Sequence, residues 1–338
     1  MQVTMIGLDL AKSVFQVHGV GADDAEVVIR KLRRAQVLKF FSGLPPCLVG
    51  MEACGSAFYW ARQIGALGHE VRLLSAKDVK AYVRRNKTDA ADAAAICEAV
   101  GRPHMRFVPI RTPVRQAVLS MHKACALLDS QRTRLMNAWR GHLAEFGVVA
   151  PQGMRGFQSL MERLAGGELE MPAFLIRALH DLAAPLAALQ ASIRRIEAEI
   201  LAWHRQDRDS RRLADAPGFG PIIASAVAAS LTDPKAFRSA RDFAASLGLT
   251  PRIDGTGGKA RLGPISKRGD HYLRRLLVNG AQSVLSSSRA KTDPWIAKLL
   301  ATKPRNKAAV ALANKMARIA WAIIARDQPY RPTGPAMA

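Results

Sequence analysis

Residues 3–20 read VTMIGLDLAKSVFQVHGV. Two β-rich runs, 3–10 and 13–20, meet at Ala11-Lys12, which predicts a hairpin. The first run carries an acid, Asp9, near its end, and an acid in such a run is expensive to bury unless it binds something. Outward from this pair the pattern predicts a third strand at 25–31 (AEVVIRK) and a helix at about 34–43. The apolar run CLVGM at 47–51 then ends in Glu52. A helix near 56–67, a strand at 70–74 (EVRLL) and helices from about 76 and 88 follow. Three strands followed by alternating helix and strand predict an α/β domain, a mixed sheet flanked by helices.

Beyond residue 100 the strand signal fades. Residues 112–146 form one long helical pattern. After a Gly- and Pro-punctuated stretch (150–172), Leu175, Leu179, Leu182, Leu186, Leu189, Ile193, Ile196, Ile200 and Trp203 alternate spacings of four and three. That is the a/d seam of a coiled coil, which pairs either within the chain, against 112–146, or between chains. Pro185 interrupts the seam and is expected to kink or restart the helix. From about 208 the chain is expected to be helical with loops. APGFGP at 216–221, followed by IIASAVAASL, is similar to a helix-hairpin-helix turn, whose backbone N–H groups suit a DNA phosphate. An ordinary helix connection is the alternative.

The chain has 338 residues, 50 Lys plus Arg against 27 Asp plus Glu, and a net charge of +23. Residues 1–100 account for only +3 and the remainder for +20. That asymmetry points to a polyanionic partner bound beyond residue 100, a generally basic, alanine- and arginine-rich proteome being the alternative. The opening segment lacks the basic n-region of a signal peptide, and no stretch approaches an uncharged spanning helix. Cys47, Cys54, Cys97 and Cys125 show no C-x-x-C spacing and read as reduced thiols of a cytoplasmic protein.

Four acids then stand out. Asp9 and Glu52 end apolar strands, and Asp89 and Asp92 lie three apart at a helix start that Thr88 can cap. Acids delivered by two strand ends and one helix are what two divalent cations need, Mg2+ preferring hard oxygen ligands. With the β-β-β-α-β-α order, the combination is similar to the RNase H-like fold.

The stretches GLDLAK, GMEACGSA and NKTDAADAAAI resemble the RuvC-like domain of DEDD-type insertion-sequence transposases, the insertion-sequence 110 family. APGFGPIIASAV, FAASLGLTPR, GGKARLGPISKRGDHYLRRLLVNGA and ALANKMARIAWAI resemble that family's second domain. The resemblance implies a RuvC-like domain at 1–110, long helices and a coiled coil at 111–207, and a mainly α transposase domain at 208–330. It implies a DNA transposase or recombinase guided by a structured bridge RNA, acting on donor and target DNA as a homo-oligomer, a dimer or tetramer. Asp9, Glu52, Asp89 and Asp92 would hold Mg2+, and a serine of the second domain would attack the DNA phosphate.

At that serine the sequence departs from the family. Gly255 occupies the usual serine position, in Gly255-Thr256-Gly257-Gly258-Lys259, and Thr256 is the nearest hydroxyl. Thr256 could substitute, with Ser246 or Ser266 as other candidates and loss of cleavage as the remaining alternative. The loop is no Walker motif, since Ile253 and Ala260 stand where Gly and Ser/Thr are required. Lys259, Arg261, Lys267, Arg268, Arg274 and Arg275 form a basic group suited to phosphates, and Arg84, Arg85 and Lys87 a second. Two other functions compete with the recombinase: a RuvC-like junction nuclease using metal-activated water, and a non-catalytic nucleic-acid-binding protein.

Overall fold

The computed structural model describes residues 2–83, 88–256 and 259–331, with the backbone alone at 256, 259 and 260. The chain forms two compact units, Met1–Thr112 with Leu231–Ser239, and Pro113–Ser230 with Ala240–Ala338. The segments 111–207 and 208–330, expected as separate parts, thus fall largely in one unit.

The first unit contains β1 (Met5–Asp9), β2 (Val14–Val20), β3 (Glu26–Arg33), α1 (Val37–Ser42), β4 (Leu48–Glu52), α2 (Ala57–Ala66), β5 (Glu70–Leu74), α3 (Ala76–Val79), α4 (Asp89–Val100) and β6 (Phe107–Val108). The strands form one sheet in the order β3-β2-β1-β4-β5-β6. β1, β2 and β3 pair antiparallel, whereas β1, β4 and β5 run parallel. The expected strands are all present. The two-residue β6, antiparallel to β5, is too short to leave a periodic signal.

Alternation sorts the sheet into two faces. Ile6, Leu8, Phe15, Val17, Val49 and Met51 point to one side, where α1 and α2 contribute Phe41, Trp60 and Ile64 to the core. The opposite face is cut down to backbone. Gly7 and Gly50 are cross-strand partners on β1 and β4. A Cβ at Gly7 would lie 2.1 Å from the Ala93 oxygen, and one at Gly50 would lie 2.7 Å from Val100 Cβ. α4 therefore rests directly on the sheet, an approach only glycine permits.

The second unit contains α5 (Pro113–Ala144), α6 (Met154–Ala165), α7 (Ala173–Gln206), α8 (Arg208–Ala214), α9 (Pro221–Ser230), α10 (Ala240–Ser246), β7 (Pro251–Thr256), β8 (Lys259–Ile265), α11 (His271–Ser286), α12 (Arg289–Thr292), α13 (Pro294–Thr302) and α14 (Arg305–Ala325). Leu179, Leu186, Ile193 and Ile200, every seventh residue of the seam, are buried on α7. The seam packs within the chain. The Trp139 indole N–H of α5 donates to the Leu179 carbonyl (2.9 Å), and Arg132 reaches Gln190. Near the other end, Val118 and Leu119 cluster with Trp203. These pairings make α5 and α7 antiparallel. Pro185 does not end α7, contrary to the expected restart. It is exposed, and the buried Leu179 and Leu186 on either side hold both flanking turns against the neighbouring helices.

Where only helices with loops were expected, the chain after Thr250 forms an antiparallel hairpin, β7 and β8, with Ile253 opposite Leu262 and Asp254 opposite Arg261. Its side chains stand in water, Ile253 69% and Leu262 74% exposed, so no buried face left an alternating pattern. α14 is the one helix among the described residues long and apolar enough to cross a membrane by length and composition. It buries Leu312, Met316 and Ile323 inside the unit and carries Lys315 and Arg318.

Candidate active site and nucleic-acid surface

The glycine seat of α4 also gathers the acids. Thr88 caps the helix, its hydroxyl oxygen accepting from the Ala91 N–H at 3.2 Å, which starts the helix at Asp89. From there α4 runs back over β1 and β4, with Ala93 and Cys97 above Gly7 and Val100 above Gly50. Asp9 is two residues beyond Gly7 and Glu52 two beyond Gly50, so both lie on that face at the ends of parallel neighbouring strands.

Electrostatics register the gathering. The Asp9 carboxyl is pushed up to about 6, first by burial and then by the negative charges of Asp92, Asp89 and Glu52. The Leu10 backbone N–H opposes the rise. A carboxyl raised by desolvation and three like charges marks a site that favours a bound cation or proton. The donor set fits Mg2+ in type, being all carboxylate oxygen. Among the described residues, no group of three or more acidic, histidine or cysteine side chains stands close enough together to hold a metal ion as placed.

One neighbour was missed in the sequence. Gln16 sits across the ladder from Asp9 and is 4% exposed. Its Nε2 donates weakly to the Val17 carbonyl (3.4 Å), while its Oε1 has no partner. A polar residue inside VFQVHGV was the available signal.

In the second unit the helix-hairpin-helix-like turn is packed inward. Gly218 (φ +83°) lies against Met316, and a Cβ at Gly280 would lie 2.3 Å from the Gly218 oxygen, whereas Gly220 faces water. The loop after β8 is folded tightly onto residues 246–250. The Ser266 N–H donates to Thr250 (2.8 Å) and the Lys267 N–H to Gly248 (3.1 Å). Gly248 and Gly269, both with positive φ, leave no room for a side chain there.

Arg274 corrects an expectation. It is 9% exposed, and its Nη1 donates to the Leu247 and Arg268 carbonyls, both at 2.9 Å. It is an internal tie of the loop, not a surface cation, because the loop's inward carbonyls need a donor. Arg261, Lys267, Arg268 and Arg275 are exposed, Arg275 over the Tyr272 ring at 5.3 Å. The side chains of Thr256 and Lys259, and all of Arg84, Arg85 and Lys87, lie outside the described residues. Of the other hydroxyls, Ser246 donates to Phe243 (2.7 Å), and Ser266 is half-buried with the Arg268 N–H at 3.5 Å.

Beneath α11 lies a second feature that periodicity could not reveal. His122 is fully buried between Tyr272 and Ser225. The Ser225 hydroxyl donates to the Ile222 carbonyl (3.1 Å), so His122 Nε2–H donates to Ser225 Oγ (3.1 Å). His122 Nδ1 then accepts from the Tyr272 hydroxyl (3.0 Å). Burial lowers His122 to about 4 and raises Tyr272 to about 12, so both stay neutral and tie α5, α9 and α11 together.

Fold and site together define an α/β unit in which Asp9 feels the charges of Asp92, Asp89 and Glu52, joined in one chain to a helical unit with an exposed hairpin. Residues 210–299 match the transposase IS116/IS110/IS902 family. The chain is 51% identical over 337 residues to a probable family 20 transposase of Pseudomonas aeruginosa, covering 98% of this chain and 100% of that one. It is 40% identical to the transposase for insertion sequence element IS1328 of Yersinia enterocolitica, over 95% of this chain and 96% of the other. With the transposase for IS1111A of Coxiella burnetii it shares 37% identity, over 97% and 92%. The chain belongs to the IS116/IS110/IS902 transposase family.

Proposed function

We propose that this protein is a DNA transposase that cleaves and rejoins strands with metal-bound carboxylates and a hydroxyl nucleophile, guided by a bridge RNA. The observation that carries it is the Asp9 carboxyl, raised to about 6 by burial and by Asp92, Asp89 and Glu52. The strand order, with β1–β3 antiparallel and β4 and β5 parallel to β1, supports reading the first unit as RNase H-like. The α5–α7 pair is read as the coiled coil. The shared family and the basic second unit support DNA as substrate.

Asp9, Glu52, Asp89 and Asp92 would hold Mg2+. Divalent cations held there would supply charge to polarise the phosphate and favour the attacking and leaving oxygens. Asp9 must give up its proton to serve as a ligand, which its raised pKa allows near neutral pH. Thr256 is our candidate nucleophile, with Ser246 and Ser266 behind it. Arg261, Lys267, Arg268 and Arg275 would neutralise the phosphates around it. A homo-dimer or tetramer would combine acids and hydroxyl from different protomers, as the family resemblance implies.

Gly255, at the usual serine position, favours one second reading: a junction nuclease using activated water with no covalent intermediate. A denaturing gel for protein–DNA adducts separates them, with Mg2+, matched DNA and the RNA transcribed beside the gene. Wild type should form an adduct that Thr256→Ala and Asp9→Ala both lose. Cleavage without any adduct would establish the junction nuclease instead. An adduct that survives Asp9→Ala would remove the acids from the chemistry.

A further inference from the structure

A groove of about 1280 Å3 in the second unit runs between α14 and the base of the β7–β8 hairpin, and of its lining the function above uses only Lys267. α14 buries one face in the unit and turns Val310, Ala311, Ile319 and Ala322 into the groove. These four side chains are half-buried, so an apolar floor stays partly open to water, as binding grooves often are.

The charge of the groove narrows that occupant. Lys267, Lys307, Lys315, Arg318 and Arg326 line it, and no carboxylate does. Among the described residues, Lys267, Lys307, Arg318 and Arg326 have no ion-pair partner, while Asp327, next to Arg326 in the chain, pairs with Arg208 and Arg212. Trp295 stands on the rim, 40% exposed, with Lys315 Nζ 4.1 Å from its ring centre. Unpaired cations around an apolar floor with an exposed indole are the elements of a single-strand site: phosphates to the cations, bases to the aromatic and apolar surface. A duplex would present phosphates but keep its base faces stacked inside.

We propose that this groove binds a single-stranded stretch of DNA. It would hold the strand along Pro251 and Ile265, at the base of the hairpin whose far end carries Thr256. The proposal rests on DNA being the substrate, as argued above, and adds where an unpaired strand lies.

The test is fluorescence anisotropy on the full-length protein across a salt series. The probes are a labelled mixed-sequence 20-nucleotide single-stranded DNA, its duplex, and RNA of the same sequence. Trp295→Ala should weaken single-stranded DNA binding about tenfold. Lys307→Glu/Arg318→Glu should also weaken it and lower the salt slope by about 1.4, the equivalent of two lost phosphate contacts. Duplex affinity should change less than twofold, and 5-iodouracil in the strand should photocross-link to Trp295. Equal losses on duplex, unchanged single-strand affinity, or an effect confined to RNA would each overturn the proposal. So would a change in oligomeric mass without a change in binding, which would make the groove an interface between copies. Circular dichroism melts confirm that both variants fold. Binding is read without cleavage, so a failed adduct assay with intact single-strand binding would sink the covalent-nucleophile reading and leave the groove standing.

Discussion

Asp9 holds its proton more tightly in the folded chain than an ordinary carboxyl, about 6 against 3.8. Its contribution to stability is therefore complete below pH 4 and is lost as pH rises through 6. Above that, with no divalent cation present, the ionised group opposes folding. Asp9→Asn should raise stability at pH 7.5 by about 1 kcal/mol, discounted for a half-buried, screened charge, while abolishing cleavage. Chemical denaturation at pH 5 and 7.5 checks it, and a variant less stable at both would refute it. Arg274 and Arg275 make a second residue-level contrast. Arg274→Met strands the Leu247 and Arg268 carbonyls and should cost about 2 kcal/mol, seen as a lower Tm. Arg275→Ala should leave Tm nearly unchanged and weaken nucleic-acid binding at low salt. Adjacent basic residues look alike in a sequence, because nothing local tells which one points inward.

At the scale of elements, α4 depends on absent side chains. Gly7→Ala would drive a methyl into the Ala93 carbonyl and should destabilise the first unit by about 3 kcal/mol, measurable in urea. The acids would separate with it, and cleavage would fall further than stability alone explains. The His122 network tests the second unit with the opposite pH sign. A histidine lowered to about 4 favours folding above its ordinary value near 6.5, and that contribution is lost as pH falls toward 4. In wild type the second unit should lose about 3 kcal/mol across that window, read by a probe within it, and His122→Gln should flatten that curve. The long helices were legible beforehand, because a seven-residue repeat of large apolar residues has few other solutions. The β7–β8 hairpin was not: both strands are solvated, and Gly257-Gly258 was its main local signal.

For the molecule as a whole, the proposed function divides the labour between charge and acids. Charge reversal at Arg261, Lys267 and Arg268 should lower DNA affinity and flatten its salt dependence while sparing Mg2+ binding. Mg2+ should raise Tm in wild type and not in Asp9→Asn, since a ligand held only by the folded state stabilises it. Isothermal titration with Mg2+ alone and anisotropy on DNA alone separate the two effects. Equal loss of DNA binding from both kinds of variant would tell against this division.

From composition and pattern alone came the α/β start, the positions of the first five strands along the chain, the heptad helix, the basic bias beyond residue 100 and the four acids. These are local or additive properties: apolar period, cap residues, summed charge. The tertiary structure decided which partner α7 takes, how closely α4 seats on Gly7 and Gly50, and that Gln16 faces Asp9. It also decided that Arg274 is internal and that one side of α14 remains open beside the hairpin. Each of these depends on residues distant in the chain meeting in space, and no spacing along a sequence encodes such a meeting.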